Sequence, residues 1–374
     1  MVTPISKTYG SVDGLSIYGG MTPSGGGGAT PAWLTASGNT VNKVVAIPGI
    51  TNGGGATMTA WGSFDIRQTT GEIFVGPQAG HGDGYWNGVT KFNATADTPS
   101  WSVVNTPTPV GQLITDGFYY ADGKPGSRHM YDHWHWDHIT DLFIMIGGSG
   151  TWPNGFNVQA SDGFNPVTNL WDAPGTWPYI DATGFGTVID TLRGEIWTNG
   201  FKRVSTTSKT YLTNNTTPTV GARYPVSYDS LRDQMFTLLW GDGGPAGPSN
   251  TLVAGKWACT GGVEQTVTFN SSAAYSQFVS EALVSSYAGM TYNTDLDVFY
   301  WTSGYSTSQG HIYVITPNNT TTWDMSLFNF AAGSATLDAA PNAGINGRLK
   351  YHKLLKGIVI NPSGSGQWYF IKTS

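Results

Sequence analysis

The sequence predicts an all-β fold: a single β-propeller of six blades, with room for a degenerate seventh. Three observations lead there. A strand-opening signature recurs six times along 374 residues. Glycine is abundant at 51 residues, in a chain that also carries 15 Trp, 18 Tyr and 16 Phe. Charged residues make up only 11%, where an ordinary soluble protein has about 25%. Such a chain reads as many short strands joined by tight turns, with Gly supplying positive-φ positions. Length alone would suggest two or three domains of about 150 residues. A repeat fold absorbs that length in one domain, and 39% hydrophobic residues suffice for its core.

Each signature is an aromatic or aliphatic residue, then Asp, Asn or His, then a short turn, then a run of β-formers. The six copies begin at Phe64-Asp65, Trp136-Asp137, Ile189-Asp190, Tyr228-Asp229, Tyr292-Asn293 and Tyr351-His352. The runs that follow are Glu72 to Val75, Leu142 to Met145, Glu195 to Trp197, Gln234 to Phe236, Val298 to Trp301 and Gly357 to Ile360. The unit is a β-hairpin. The polar residue bonds its own turn backbone, and the second strand carries β-branched and aromatic residues. The turn residue falls five positions after the first residue in five copies, and blade one has two more.

Trp101, Trp171, Trp257 and Trp323 are expected to mark outer strands. Anchors lie 39 to 72 residues apart, so the longer gaps hold insertions. Only 23 residues follow the last anchor, too few for four strands. An N-terminal strand, Val41 to Pro48, is the natural partner for the C-terminal blade, because closing the ring removes a sheet edge. Residues 1–60 have room for the seventh blade. Residues 1–30, with the run Gly25 to Gly28, read as a flexible arm able to dock on a partner, and residues 31–374 as the propeller.

Composition excludes several functions. Net charge is −6 with no basic run, which argues against nucleic acid. No stretch reaches the 18 apolar residues or so of a membrane span. Cys259 is the only cysteine, so neither an internal disulfide nor a Cys-x-x-Cys metal motif is available. The surface composition suits an extracellular setting, yet Met1 to Gly10 shows no Sec signal. A virion protein reconciles the two, which points to other virion proteins as partners through the arm.

The glycine pair Gly147-Gly148 after the second strand of blade two, the looser pair Gly243-Gly244 in blade four and the late Trp residues resemble kelch-type propellers. The resemblance spans about residues 55–374. Blade three lacks the late Trp, and blades one, three and five lack the paired glycine. The resemblance implies that the loop into a blade's first strand and the loop out of its second share one face, which carries the site. Two polar clusters then meet: Gln78 to Trp86 from blade one, holding His81 and Asp83, and Ser127 to His133 before blade two, holding Arg128, His129 and Tyr131. Five of the seven His lie in or beside these loops: His81, His129, His133, His135 and His138.

Three readings compete there. His133, His135 and Asp137 alternate with Trp134 and Trp136, placing three metal-capable side chains on one strand face. A catalytic site could use His129 or His81 as base with Arg128 and Tyr131; some propeller polysaccharide lyases work with His, Tyr and Arg. The plain alternative is that these His residues bond turn backbones and pack on Trp. The two-carboxylate glycosidase pattern, Gly-x-Ser-x-Gly and phosphate loops do not stand out. Sugar recognition needs aromatic faces and a few polar groups. Tyr85, Trp86, Asp83, Trp152, Tyr224, Trp240 and Tyr305 are the candidates. The expectation is a non-enzymatic binding or structural protein, without cofactor, whose ligand is a surface glycan. A lyase is the alternative.

Overall fold

A computed structural model describes residues 30–374, apart from 55–57, 59–60, 78–83, 115–116, 149–151, 154–157, 181–185, 199–201, 213–215, 218–224, 243–247, 282–287, 303–310 and 341–343. Side chains of 216–217, 239–242 and 248–251 also lie outside the description. Six antiparallel sheets form a ring. Blade one is Phe64–Arg67, Glu72–Val75, Val89–Asn93 and Ser102–Asn105; blade two is Trp134–Asp137, Leu142–Met145, Asp162–Asn165 and Leu170–Trp171. Blade three is Val188–Asp190, Glu195–Trp197, Arg203–Ser205 and Thr210–Leu212; blade four is Val226–Asp229, Gln234–Asp242, Pro248–Ala258 and Gln265–Thr266. Blade five is Gly289–Asn293, Val298–Thr302, Tyr313–Thr316 and Thr322–Leu327, extended by the parallel strand Thr268–Phe269. Blade six takes Leu349–His352, Gly357–Ile360 and Gln367–Lys372 from the C-terminus and Val44–Thr51 from the N-terminal side.

That last strand closes the ring as expected, with Val44 opposite Ile371 and Ala46 opposite Tyr369. The first strands of successive blades touch around the axis, from blade one through blade six and back. The fold is a six-bladed propeller. Among the described residues the N-terminal region supplies this closing strand and the short helix Ala32–Ala36 rather than a seventh blade. No described helix is long and apolar enough to cross a membrane.

The low charge content has a structural reason. Each sheet packs on a neighbour through both faces, so strands such as Leu142–Met145 and Val298–Thr302 are buried throughout. Aromatic side chains fill the wedges between blades. Phe74 of blade one meets Phe143 of blade two at 4.5 Å, and Trp134 Nε1 donates to Phe74 O at 3.2 Å. Trp301 of blade five donates likewise to Leu238 O of blade four, at 3.2 Å. Of the four Trp expected on outer strands, Trp171 and Trp323 are there and Trp101 immediately precedes one. Trp257 is not. It sits on the third strand of blade four, because the hairpin Gln234–Asp242/Pro248–Ala258 is long and leaves the fourth place to Gln265–Thr266.

The turn between first and second strands is the same in all six blades. Arg67 pairs with Glu72, Asp137 with Leu142, Asp190 with Glu195, Asp229 with Gln234, Asn293 with Val298 and His352 with Gly357. Each pair brackets four residues, the last of them left-handed: Gly71, Asp141, Gly194, Asp233, Asp297 and Lys356. Blade one therefore has no extra residues. Its signature is Ile66-Arg67, and Asp65 belongs to the channel wall instead of the turn. Left-handed backbone costs a non-Gly residue about 1–2 kcal/mol. In three of the four non-Gly cases that residue is an Asp gripped by the preceding blade: Arg67 holds Asp141, Arg193 holds Asp233 and Arg232 holds Asp297.

Asp137 shows what the polar residue of the signature does. It accepts from Ile139 N and Thr140 N, both at 3.1 Å, and from Thr140 Oγ1 at 2.6 Å. Asp190, Asp229 and Asn293 cap their turns in the same way, and His352 Nδ1 accepts from Leu355 N at 3.3 Å. Asp137→Ala should destabilise the protein by about 1–3 kcal/mol in urea unfolding, because three donors lose a buried acceptor. An unchanged midpoint would show that the cap is dispensable.

Candidate functional site

The turns just described lie on one side of the ring, here the lower face. Loops into first strands and out of second strands lie on the other, the upper face. There the loop before blade two, Ser127 to His133, reaches the approaches to three other blades. Met130 N and Tyr131 N donate to Trp61 O of blade one's approach, at 3.0 and 2.9 Å. Tyr131 O accepts from Gly347 N ahead of blade six at 3.1 Å, and Asp132 O accepts from Thr187 Oγ1 ahead of blade three at 2.7 Å. Segments of four blades thus converge on one short loop. Gly347 is required: a Cβ there would lie 2.1 Å from Ser63 Oγ and 2.9 Å from Tyr131 O. Tyr131 is left-handed at φ 46°, a conformation that neighbours must impose on a large side chain.

Aromatic rings stack along this loop. His129 lies on Trp61 at 5.3 Å and 25°, Tyr131 meets Trp61 at 5.3 Å, and Tyr131 and His133 are 5.9 Å apart. Below them the channel holds charge. Asp132 is 7% exposed, and its Oδ1 has no hydrogen-bond partner. Burial pushes this carboxyl up to about 7; the Lys350 charge opposes the rise and Asp65 adds to it. Asp65 is also raised by burial, against the Lys350 charge and N–H bonds from Trp136 (2.7 Å) and Ile66 (2.8 Å). Asp65, Asp132 and Lys350 were not among the residues expected from sequence. They lie 67 or more residues apart in the chain, and only ring closure brings blades one, two and six together. The usable signal was Asp132 itself, a carboxylate between Tyr131 and His133 in a chain poor in charge.

Arg128, the cation of the catalytic reading, lies in the interior rather than on the rim. Its side chain is fully buried. Nε donates to Gly126 O at 3.2 Å, Nη1 to Gly147 O at 3.2 Å and Ala160 O at 3.0 Å, and Nη2 to Phe118 O at 3.4 Å, with Asp162 Oδ2 3.5 Å away. A guanidinium tying down four backbone segments has no face left for a substrate. Burial lowers its pKa from the ordinary value and pushes Asp162 up to about 6 despite the ion pair.

The residues of the metal reading make other contacts in the protein. Asp137 is committed to its turn. His135 Nε2 lies 2.6 Å from Thr187 Oγ1, whose proton goes to Asp132 O, so the imidazole is the donor. Burial also drives His135 well below its usual pKa, so it is neutral. His133 is buried against Tyr131. Among the described residues, Asp190, Asp233 and Cys259 do bring three ligand atoms within 4.8 Å. Arg193 already occupies that cluster, 2.6 Å from Asp190 Oδ2 and 2.7 Å from Asp233 Oδ1. Burial raises the Cys259 thiol, which opposes thiolate ligation.

Of the aromatic candidates, Tyr85 and Trp152 come together: their ring centroids are 5.6 Å apart at 66°, and Tyr85 is 38% exposed. They stand on the loops after the second strands of blades one and two. Gly84, beside Tyr85, accepts from Ser127 Oγ at 2.9 Å, which anchors this rim to the loop before blade two. Trp86 folds against Gly88 with its Nε1 buried, while the residue as a whole is half-buried. Trp240 lies on the second strand of blade four opposite Leu252; its side chain, and His81, Asp83, Tyr224 and Tyr305 entirely, fall outside the described residues.

No protein family matches the sequence, and no curated protein matches it. Among solved structures, the chain is similar to one from a crystal structure of the mitotic checkpoint complex. That similarity has a TM-score of 0.47 at 10% identity, covering 90% of this chain and 92% of that one. Strand order, ring closure and the six-fold turn establish what the chain is: a six-bladed β-propeller.

Proposed function

We propose that the protein is a non-enzymatic binding module of a virion, presented outside cells, and that the rim of the upper face takes a surface glycan. The observation that carries this reading is the Tyr85–Trp152 pair. Two rings from adjacent blades, inclined at 66° and partly open to solvent, offer apolar faces of the kind that stack on sugar rings. The burial of Arg128 favours binding over lyase chemistry. In blade two, Gly147 and Gly148 (φ 53° and 126°) support the kelch-type kinship. A Cβ on Gly148 would lie 2.9 Å from Arg128 Cδ, so the paired glycine lets the clamp close.

A glycan array followed by calorimetry on the best ligand tests the proposal. Tyr85→Ala and Trp152→Ala should each weaken binding about 3- to 10-fold, the worth of one aromatic stack. Absence of any glycan ligand, or variants that bind like the parent, would overturn the ligand. Fractionation that finds the protein away from particles would overturn the virion setting.

A further inference from the structure

Among the described residues, three aromatic side chains stand openly exposed: Tyr85 at 38%, Tyr179 at 54% and Tyr211 at 47%. Tyr85 belongs to the pair with Trp152. Tyr179 and Tyr211 form a second aromatic platform with Phe118, whose ring lies 6.1 Å from that of Tyr179 at 53°. The Tyr211 hydroxyl donates to Tyr179 O, which joins the fourth strand of blade three to the segment that approaches that blade. This platform also lies on the upper face. Ile180 N, next to Tyr179, donates to Gln159 O at 2.7 Å, and Gln159 belongs to the loop out of blade two's second strand that carries Trp152. Phe118 O accepts from Gly126 N at 2.9 Å and from the Arg128 guanidinium, which also holds Gly147 O and Ala160 O near the two ends of that loop. Tyr85 is tied in from the other side, through Gly84 and Ser127. The two platforms therefore flank one loop, and the rings of the second are carried by backbone that hydrogen bonds hold in place.

We infer that the Phe118–Tyr179–Tyr211 platform is a second sugar subsite, and that the glycan is a polysaccharide chain laid across the upper loops of blade two rather than a single terminal sugar. The inference rests on the glycan reading of the Tyr85–Trp152 rim. Exposed aromatic faces stack on the apolar faces of sugar rings, and the exposed Tyr179 hydroxyl supplies a polar contact beside them. One terminal sugar cannot use all three exposed rings, because the loop that carries Trp152 and Gln159 stands between the two platforms. A linear chain meets both at once. Each stack alone is weak. Joining them through one ligand makes the second contact intramolecular, which multiplies affinity without any further contact.

Calorimetry on the intact chain tests this with two probes prepared from the array glycan that binds best: its single repeating unit and a long chain of the same units. The wild type should bind the long chain at least about 10-fold more tightly per unit. Tyr179→Ala and Tyr211→Ala should each remove most of that advantage. Both should still bind the single unit like the wild type, with an unchanged circular dichroism spectrum. Tyr179→Phe keeps the ring and should retain the advantage. Equal affinity of the wild type for chain and single unit overturns the inference and leaves the glycan reading of the Tyr85–Trp152 rim standing. So do Tyr179→Ala and Tyr211→Ala variants that keep the full advantage. No binding of either probe overturns both.

Discussion

Arg128→Ala should cost about 3–5 kcal/mol of folding stability, the penalty for breaking a buried ion pair by removing one partner. Three consequences add in that substitution. Asp162, 2% exposed, loses the cation beside it. The carbonyls of Gly126, Gly147, Ala160 and Phe118 lose their donor in the protein interior. The side chain also leaves a cavity where blade two's approach packs on Gly148. Lys in its place has one donor centre and cannot reproduce a planar fork that reaches four carbonyls. Urea unfolding of Arg128→Ala and Arg128→Lys should therefore show both variants well below the wild type. If either unfolds at the wild-type midpoint, the guanidinium is not a clamp, and its availability for a ligand must be reconsidered.

Asp132→Asn should stabilise the protein at neutral pH and leave it unchanged in acid. The carboxyl has an ordinary value of 3.8 and is held at about 7 in the folded protein. The folded state therefore binds the proton more tightly than the unfolded state. Stability from this group is fully present below 3.8 and is lost as pH rises through about 7. A difference of that size corresponds to about 4 kcal/mol at most. Asn mimics the protonated acid and cannot ionise. The variant and the parent should coincide near pH 4 and diverge to their full separation above pH 7. Burial also holds His352 down, to about 4, which weakens the fold on acidification. That effect is common to both proteins and cancels in the difference. Stability curves that run parallel from pH 4 to 8 would show that Asp132 is ionised and solvated in the folded protein.

The two residues illustrate what is legible in a chain of this kind. Arg128, His129 and Tyr131 stood out because polar residues are scarce, and their place in one loop before blade two was readable. Their roles were not. A guanidinium on a rim and a guanidinium buried beneath it have the same sequence, and the difference lies in the segments around Phe118, Gly147 and Ala160 that fold over it. Of the His133-x-His135 pair, only His135 stands on the strand Trp134–Asp137, and His133 belongs to the loop before it. Whether those rings faced a metal or Thr187 depended on the neighbouring blade. Blade one was misread by two residues because Phe64-Asp65 fits the same pattern as Ile66-Arg67. Only the pairing of Arg67 with Glu72 decides between them.

The sequence by itself determined the repeating hairpin, its six recurrences, and the N-terminal strand that closes the ring. These follow from local turn chemistry and from alternation of β-formers, which are properties of short stretches of chain. The tertiary structure alone decided the convergence of segments from four blades on the loop before blade two, and the meeting of Asp65, Asp132 and Lys350 beside it. The reason is physical. In a propeller each blade gives only one or two side chains to the axis or to a face. Any site there is assembled from residues far apart in sequence, once ring closure fixes which blades are neighbours.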